Sequence, residues 1–100
     1  MIEEDKYPCP CCGYLVFDRE PGNHESCPIC GWEDDMAQLR FPLMPGSSNH
    51  VSLQDGQRNF EDYGAAERRY RGMTREPYDH ELREPGWRLL ELSLINISDP

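Results

Sequence analysis

Four cysteines stand in two short matching motifs and could hold a metal ion. The first motif contains Cys9 and Cys12, the second contains Cys27 and Cys30, and fourteen residues separate the two pairs. Two cysteines three positions apart bring two sulfurs to one ion, and this spacing is typical of sites in which four thiolates hold zinc. We therefore predict that Cys9, Cys12, Cys27 and Cys30 bind a structural zinc ion.

The residues that flank these cysteines suit the same role. In each motif a proline (Pro10, Pro28) follows the first cysteine, and a glycine (Gly13, Gly31) follows the second. Proline fixes φ and removes a backbone donor. Glycine adopts a positive φ, which lets backbone amides point toward sulfur. We call residues 9–13 the first knuckle and residues 27–31 the second knuckle.

Iron is an alternative to zinc at the predicted site. The first knuckle is followed by Tyr14, Phe17 and Asp18, and this stretch resembles rubredoxin, whose four-cysteine iron centre transfers single electrons. Rubredoxins place their second knuckle about twice as far along the chain, and they have more aromatic shielding around the centre. Zinc is therefore the preferred metal, and iron is a possible substitute.

A fifth cysteine, Cys11, lies inside the first knuckle between two predicted ligands. It could replace a neighbouring ligand or act as a redox thiol. Its knuckle already supplies a complete pair, so we expect Cys11 to pack without binding metal.

The segments around the knuckles predict a metal-clamped hairpin. Residues 14–17 are rich in strand-forming types, residues 19–23 form a turn, and residues 24–26 lead back into the second knuckle. Strand, turn and return make a zinc ribbon over residues 7–32.

The middle of the chain predicts a helical segment at residues 52–71. Ser52 can cap its start, and Gly64 can end a helix. Helical spacing places Gln57 off the apolar face. That face consists of Leu53, Gly56, Phe60 and Tyr63.

The rest of the chain, residues 72–100, contains several prolines and glycines and is predicted to be extended. Leucines alternate with polar residues near its end, which favours a strand within residues 88–97. One hundred residues make one small domain. The expected fold is a small α+β metal-bound domain, with an N-terminal zinc ribbon, a helix and an extended C-terminal segment.

Charge and composition narrow the classes of partner. The formal net charge is −9, which opposes binding to the phosphate backbone of nucleic acids. It suits a basic protein partner. No run of residues approaches the length of a membrane span, and the first residues lack the apolar stretch of a signal peptide. Reduced, metal-binding thiols without an export signal predict a cytoplasmic protein.

Two acidic clusters are candidate contacts for such a partner. Residues 33–35 and 61–62 are runs of carboxylates that we expect on the surface, and they consist of Glu33, Asp34, Asp35, Glu61 and Asp62. The sequence has no nucleophile–base pair and no phosphate-binding loop. Four thiolates also leave a metal no open position for a substrate. We therefore predict that the protein is not an enzyme.

The sequence resembles the cysteine-rich CPCC family of short bacterial proteins. Residues 9–18 read CPCCGYLVFD, residues 27–35 read CPICGWEDD, and residues 49–53 read NHVSL. The resemblance extends over residues 7–70 and implies a small zinc-binding domain. Some members resemble immunity proteins that accompany secreted toxins. The resulting expectation is a small acidic module that binds and neutralises a basic toxin domain.

Overall fold

The first knuckle lies in the turn between two short antiparallel strands. The computed structural model describes residues 6–20, 22–87 and 89. Strand β1 is Tyr7–Pro8 and strand β2 is Leu15–Phe17, with Tyr7 opposite Phe17 and Pro8 opposite Leu15. These two strands form the sheet in the described part of the chain.

The sequence predicted the strand at 14–17 but placed its partner at residues 24–26, and this pairing is corrected. The backbone amides of Asp18 and Arg19 donate instead to the carboxylate of Glu25. Residues 24–26 enter the second knuckle beyond a positive φ at His24, and Ser26 pairs with Glu33 in an isolated bridge. Side-chain oxygens therefore accept hydrogen bonds from backbone amides in the loop between the knuckles, where we had expected pairing between two strands.

Two helices follow the knuckles. Helix α1 is Met36–Arg40, and the carboxylate of Asp35 caps it by accepting from the amides of Ala37 and Gln38. Helix α2 is Leu53–Tyr63. The predicted caps of α2 are confirmed: the Ser52 hydroxyl accepts from the Asp55 amide, and Gly64 ends the helix at φ 84°. Beyond Gly64, a separate 3₁₀ turn covers Arg68–Tyr70.

Helix α2 packs closely against the cysteine motifs. A Cβ atom at Gly56 would lie 3.1 Å from the Trp32 ring and 3.3 Å from the Cys11 sulfur, so only glycine allows this approach without a shift. Gln57 is also buried on this side, although we predicted it off the apolar face. It lies one helical turn after Leu53, and its side-chain amide donates to the Pro10 carbonyl at 2.8 Å.

Residues 66–87 return along the two knuckles, and we call them the covering segment. Within it, Leu82 accepts from the Leu15 amide at 2.9 Å, and the Glu84 amide donates to Gly13 at 2.7 Å. The strand predicted within residues 88–97 lies outside the described residues. Over the residues that the structure describes, the result is a small compact α+β fold, with a two-stranded sheet, two helices and a cysteine-rich core.

Candidate metal centre

The sulfurs of the four predicted ligands lie together in the core. All four Sγ atoms lie within 4.8 Å of one another. The Cys9 and Cys30 sulfurs are 3.6 Å apart, and the Cys12 and Cys27 sulfurs are 3.7 Å apart. Zinc–sulfur bonds of about 2.3 Å in a tetrahedron place the sulfurs about 3.8 Å apart. The four cysteines are therefore positioned to hold a metal ion.

The two knuckles repeat the same backbone geometry. In each, the amide of the first cysteine donates to the carbonyl five residues later, and the glycine amide donates back to the carbonyl of that cysteine. These bonds measure 2.7 to 2.9 Å. Gly13 and Gly31 have φ of 83° and 86°, the left-handed region that we predicted for them.

Backbone amides in the second knuckle point at sulfur. The Cys27 sulfur lies 3.3 Å from the Ile29 amide and 3.5 Å from the Cys30 amide. The Trp32 amide lies 3.5 Å from the Cys30 sulfur. Such donors stabilise a thiolate more than a thiol, so they favour the form that binds metal.

Burial and mutual hydrogen bonding set the protonation of the metal-free thiols. Burial raises the pKa of Cys9 and of Cys30 well above the ordinary thiol value. Hydrogen bonds from Cys12, Cys30 and Cys9 lower the pKa of Cys27. A metal ion that binds all four sulfurs must therefore displace protons from the thiols whose pKa is raised.

The cluster is sealed from solvent. Each of the four cysteines is at most 2% exposed. Part of this cover is aromatic, because Trp87 packs against Gly13 and Tyr70 packs against Gly31 so closely that a Cβ at either glycine would clash with the ring. One ring therefore covers each knuckle, and both rings belong to the covering segment.

Hydrogen bonds attach the covering segment to the knuckle backbones. Its Ala66 and Arg75 amides donate to carbonyls of the second knuckle, at 2.8 and 3.1 Å. The guanidinium Nε of Arg83 donates to the Cys12 carbonyl of the first knuckle at 2.7 Å. Residues 72–87, predicted only as part of an extended tail, thus belong to the metal centre's enclosure, as do residues 66–71, which were predicted to be helical.

A buried amide cluster positions the ring of Tyr70. Its hydroxyl donates to the side-chain oxygen of Asn49 at 3.1 Å. Asn49 is fully buried, and its amide nitrogen donates to Glu33 and Gln38. Gln38, also fully buried, donates to three loop carbonyls, those of Met44, Asn49 and Val51. Sequence reasoning missed both amides, because hydrophobic periodicity assigns such residues to the surface.

Cys11 lies outside the four-sulfur group. It is fully buried, and its sulfur packs where α2 passes at Gly56. Burial raises the pKa of its thiol. These contacts fit the packing role that we expected from the sequence.

Only part of the first predicted acidic cluster, residues 33–35, is exposed to solvent. Asp34 and Asp35 are 0% and 5% exposed, so the expectation that they face solvent is wrong. One carboxylate oxygen of Asp34 accepts from the Gly22 and Asn23 amides. Asp35 caps α1 and also accepts from the Ser48 amide. Both aspartates are therefore internal hydrogen-bond acceptors.

The other predicted acids remain accessible. Glu33 is half-buried, and one of its oxygens lies 3.6 Å from the His24 ring. Glu61 and Asp62 are exposed on α2, where Glu61 accepts from Arg83 at 2.8 Å. A partner-binding role stays a prediction for these three residues.

Comparison with known proteins agrees with this site. In the described part of the chain, no helix combines the length and apolar character needed to cross a bilayer. No curated protein gives a significant match. The sequence profile of the family described as Cysteine-rich CPCC matches residues 7–81, which include both knuckles, both helices and most of the covering segment. The chain therefore belongs to the cysteine-rich CPCC family.

Proposed function

We propose that Cys9, Cys12, Cys27 and Cys30 hold one zinc ion in a structural site of the zinc-ribbon type. The enclosed cluster of four sulfurs is the observation that carries this proposal. Zinc has no redox chemistry, and four protein ligands leave it no open position for catalysis. The ion would therefore link the two knuckles and take no part in a reaction.

The energetic scale supports a structural role. Zinc binding contributes roughly 10 kcal/mol or more in small zinc-finger peptides. A whole small domain is stable by only about 5–15 kcal/mol. The ligand cysteines form much of the core here, so removal of the ion should unfold the knuckles.

Metal analysis of neighbouring cysteine variants tests the site. Protein from cells supplied with zinc and iron should contain one zinc per chain. Cys12→Ala should lose this metal, whereas the matched variant Cys11→Ala should keep it. Stoichiometric iron with reversible one-electron chemistry would favour the rubredoxin-like alternative, and metal loss from both variants would contradict the ligand assignment.

We propose further that the folded domain is a cytoplasmic protein-interaction module without enzymatic activity. Its most concrete form is an immunity-type protein that binds and neutralises a basic toxin domain. The net charge of −9 supports a basic protein partner, and opposes nucleic acid. Since Asp34 and Asp35 are buried, Glu61 and Asp62 on α2 are the strongest contact candidates.

The proposed role as an interaction module is tested by measuring association with the product of an adjacent toxin gene. Binding should be faster at low salt, and the double variant Glu61→Lys, Asp62→Lys should slow it by about tenfold or more. The matched variant Glu76→Lys reverses one exposed acid elsewhere and should have a smaller effect. The proposal would be contradicted if the two proteins do not associate, or if neither salt nor charge reversal changes the rate of association.

A further inference from the structure

The two knuckles share a backbone geometry but differ in the amides that donate to their sulfurs. In the second knuckle, two backbone amides donate to the Cys27 sulfur and one donates to the Cys30 sulfur, at 3.3 to 3.5 Å. Over the part of the chain that the structure describes, no backbone amide donates to the sulfur of Cys9 or Cys12. The two equivalent pairs of cysteines therefore lie in unequal hydrogen-bonding surroundings.

Other features around the two pairs are balanced. All four ligand residues are at most 2% exposed, and one aromatic ring covers the glycine of each knuckle. Each knuckle also has one arginine bonded to its backbone, and a carboxylate neutralises each arginine. Arg83, at the first knuckle, pairs with Glu61 at 2.8 Å. Arg75, at the second knuckle, pairs with Glu81 at 2.7 Å. Donation to sulfur is thus the main difference between the two pairs.

Hydrogen bonds to a metal-bound thiolate change its reactivity. An N–H donor takes up part of the negative charge on sulfur, so it lowers the basicity and the nucleophilicity of that sulfur together. Loss of a hydrogen bond to a metal ligand typically costs about 10- to 100-fold in metal affinity. We therefore expect the second knuckle to hold the ion more firmly, while the sulfurs of the first knuckle keep more of their charge and react faster.

We propose that the first knuckle is a modification site, at which Cys9 or Cys12 reacts with soft alkylating electrophiles while zinc is bound. This inference rests on the zinc site proposed above. A sulfur lone pair forms a bond to the electrophilic carbon, and the leaving group departs from that carbon with its bonding electrons. The step needs no proton, oxidant or reductant. Its product is a neutral thioether, which is a weaker zinc ligand than a thiolate, so alkylation weakens the site from its first knuckle.

Reaction of the zinc-loaded protein with a limiting amount of iodoacetamide tests the proposal. Peptide mapping by mass spectrometry locates the adduct in singly modified molecules, and an adduct on Cys11 is counted separately because Cys11 is not a predicted ligand. Adducts on the two ligands of the first knuckle should exceed those of the second knuckle by about fivefold or more, since the reactivity of a thiolate falls with its basicity. In the unfolded, metal-free chain the same reagent should label the four positions about equally.

A pair of equivalent substitutions separates donation to sulfur from easier opening of the first knuckle. Histidine can replace cysteine as a zinc ligand. Cys27→His leaves two amides without their sulfur acceptor, whereas the matched variant Cys9→His leaves none. Cys27→His should therefore lose about tenfold more zinc affinity than Cys9→His, measured by competition with a chelator.

The possible contrary results are distinguishable. Preferential modification of the second knuckle, or modification without preference, would overturn the inference and leave the zinc site in place. Equal loss of affinity in Cys9→His and Cys27→His would do the same. Absence of bound zinc from the native chain would instead overturn the inference together with the zinc site.

Discussion

The rings of Trp87 and Tyr70 should control how fast metal leaves the site. Each ring covers the glycine of one knuckle. A chelator can reach the sulfurs only when the covering segment opens, and the rings stabilise the closed state. We therefore expect Trp87→Ala and Tyr70→Ala to accelerate zinc release.

The size of this effect follows from the packing that is lost. Removal of a whole aromatic side chain from a core costs about 3–5 kcal/mol. Trp87 and Tyr70 are only half-buried, so about 2 kcal/mol is a better figure for each. If release occurs through local opening, this shifts the opening equilibrium by about 30-fold. The release rate should increase by the same factor.

Zinc transfer to a chromogenic chelator in a stopped-flow instrument measures the rate. Tyr78→Ala is the matched control, since Tyr78 is an exposed aromatic residue of the same segment that contacts neither knuckle glycine. Global unfolding of each metal-loaded variant, followed in denaturant, separates local opening from loss of the whole fold. Release at the native rate from both variants, or equal acceleration by Tyr78→Ala, would refute the reasoning.

Three further predictions concern the core and the thiols. Gly56→Ala should give no net gain in unfolding free energy, although alanine normally adds about 1 kcal/mol in a helix, because the buried Trp32 ring must move. An increase of about 1 kcal/mol in the free energy of unfolding would contradict this prediction. Gln38→Leu should lower the free energy of unfolding by about 3 kcal/mol, since several loop carbonyls lose their donor. The control variant Gln54→Leu should change this free energy little, and thermal unfolding compares the two variants. Zinc affinity should rise with pH, because burial keeps at least two ligand thiols protonated while the pKa of Cys27 is lowered. Calorimetry in buffers of different ionisation enthalpy should count more than one but fewer than four protons released.

The metal ligands and the caps of α2 could be predicted because their signals are local. The spacing of the cysteines, the glycine after each pair and the serine before the helix all act within a few residues. The backbone must adopt these conformations wherever the segment is placed. For that reason the positive φ of Gly13 and Gly31 and the ends Ser52 and Gly64 agree with the sequence.

Some residues occupy positions that we did not predict, and these positions depend on contacts with residues distant in the sequence. Asp34 and Asp35 belong to a run of three acids, which is typical of a solvated surface. Their burial is favourable only because loop amides converge on the carboxylates, and the sequence does not fix that convergence. The contact between Trp87 and Gly13 is of the same kind. It depends on how the covering segment returns, and no local pattern encodes that path.

The metal ligands and the segment that encloses them are separated along the sequence, and this separation has a consequence for biosynthesis. All four ligands lie at or before residue 30, whereas both rings belong to residues 66–87. A ribosome therefore exposes the complete ligand set while the residues that enclose it are still unmade. We expect arrested nascent chains that end after α2 to take up zinc readily and to exchange it quickly. Failure of such chains to acquire zinc would show that enclosure must precede loading.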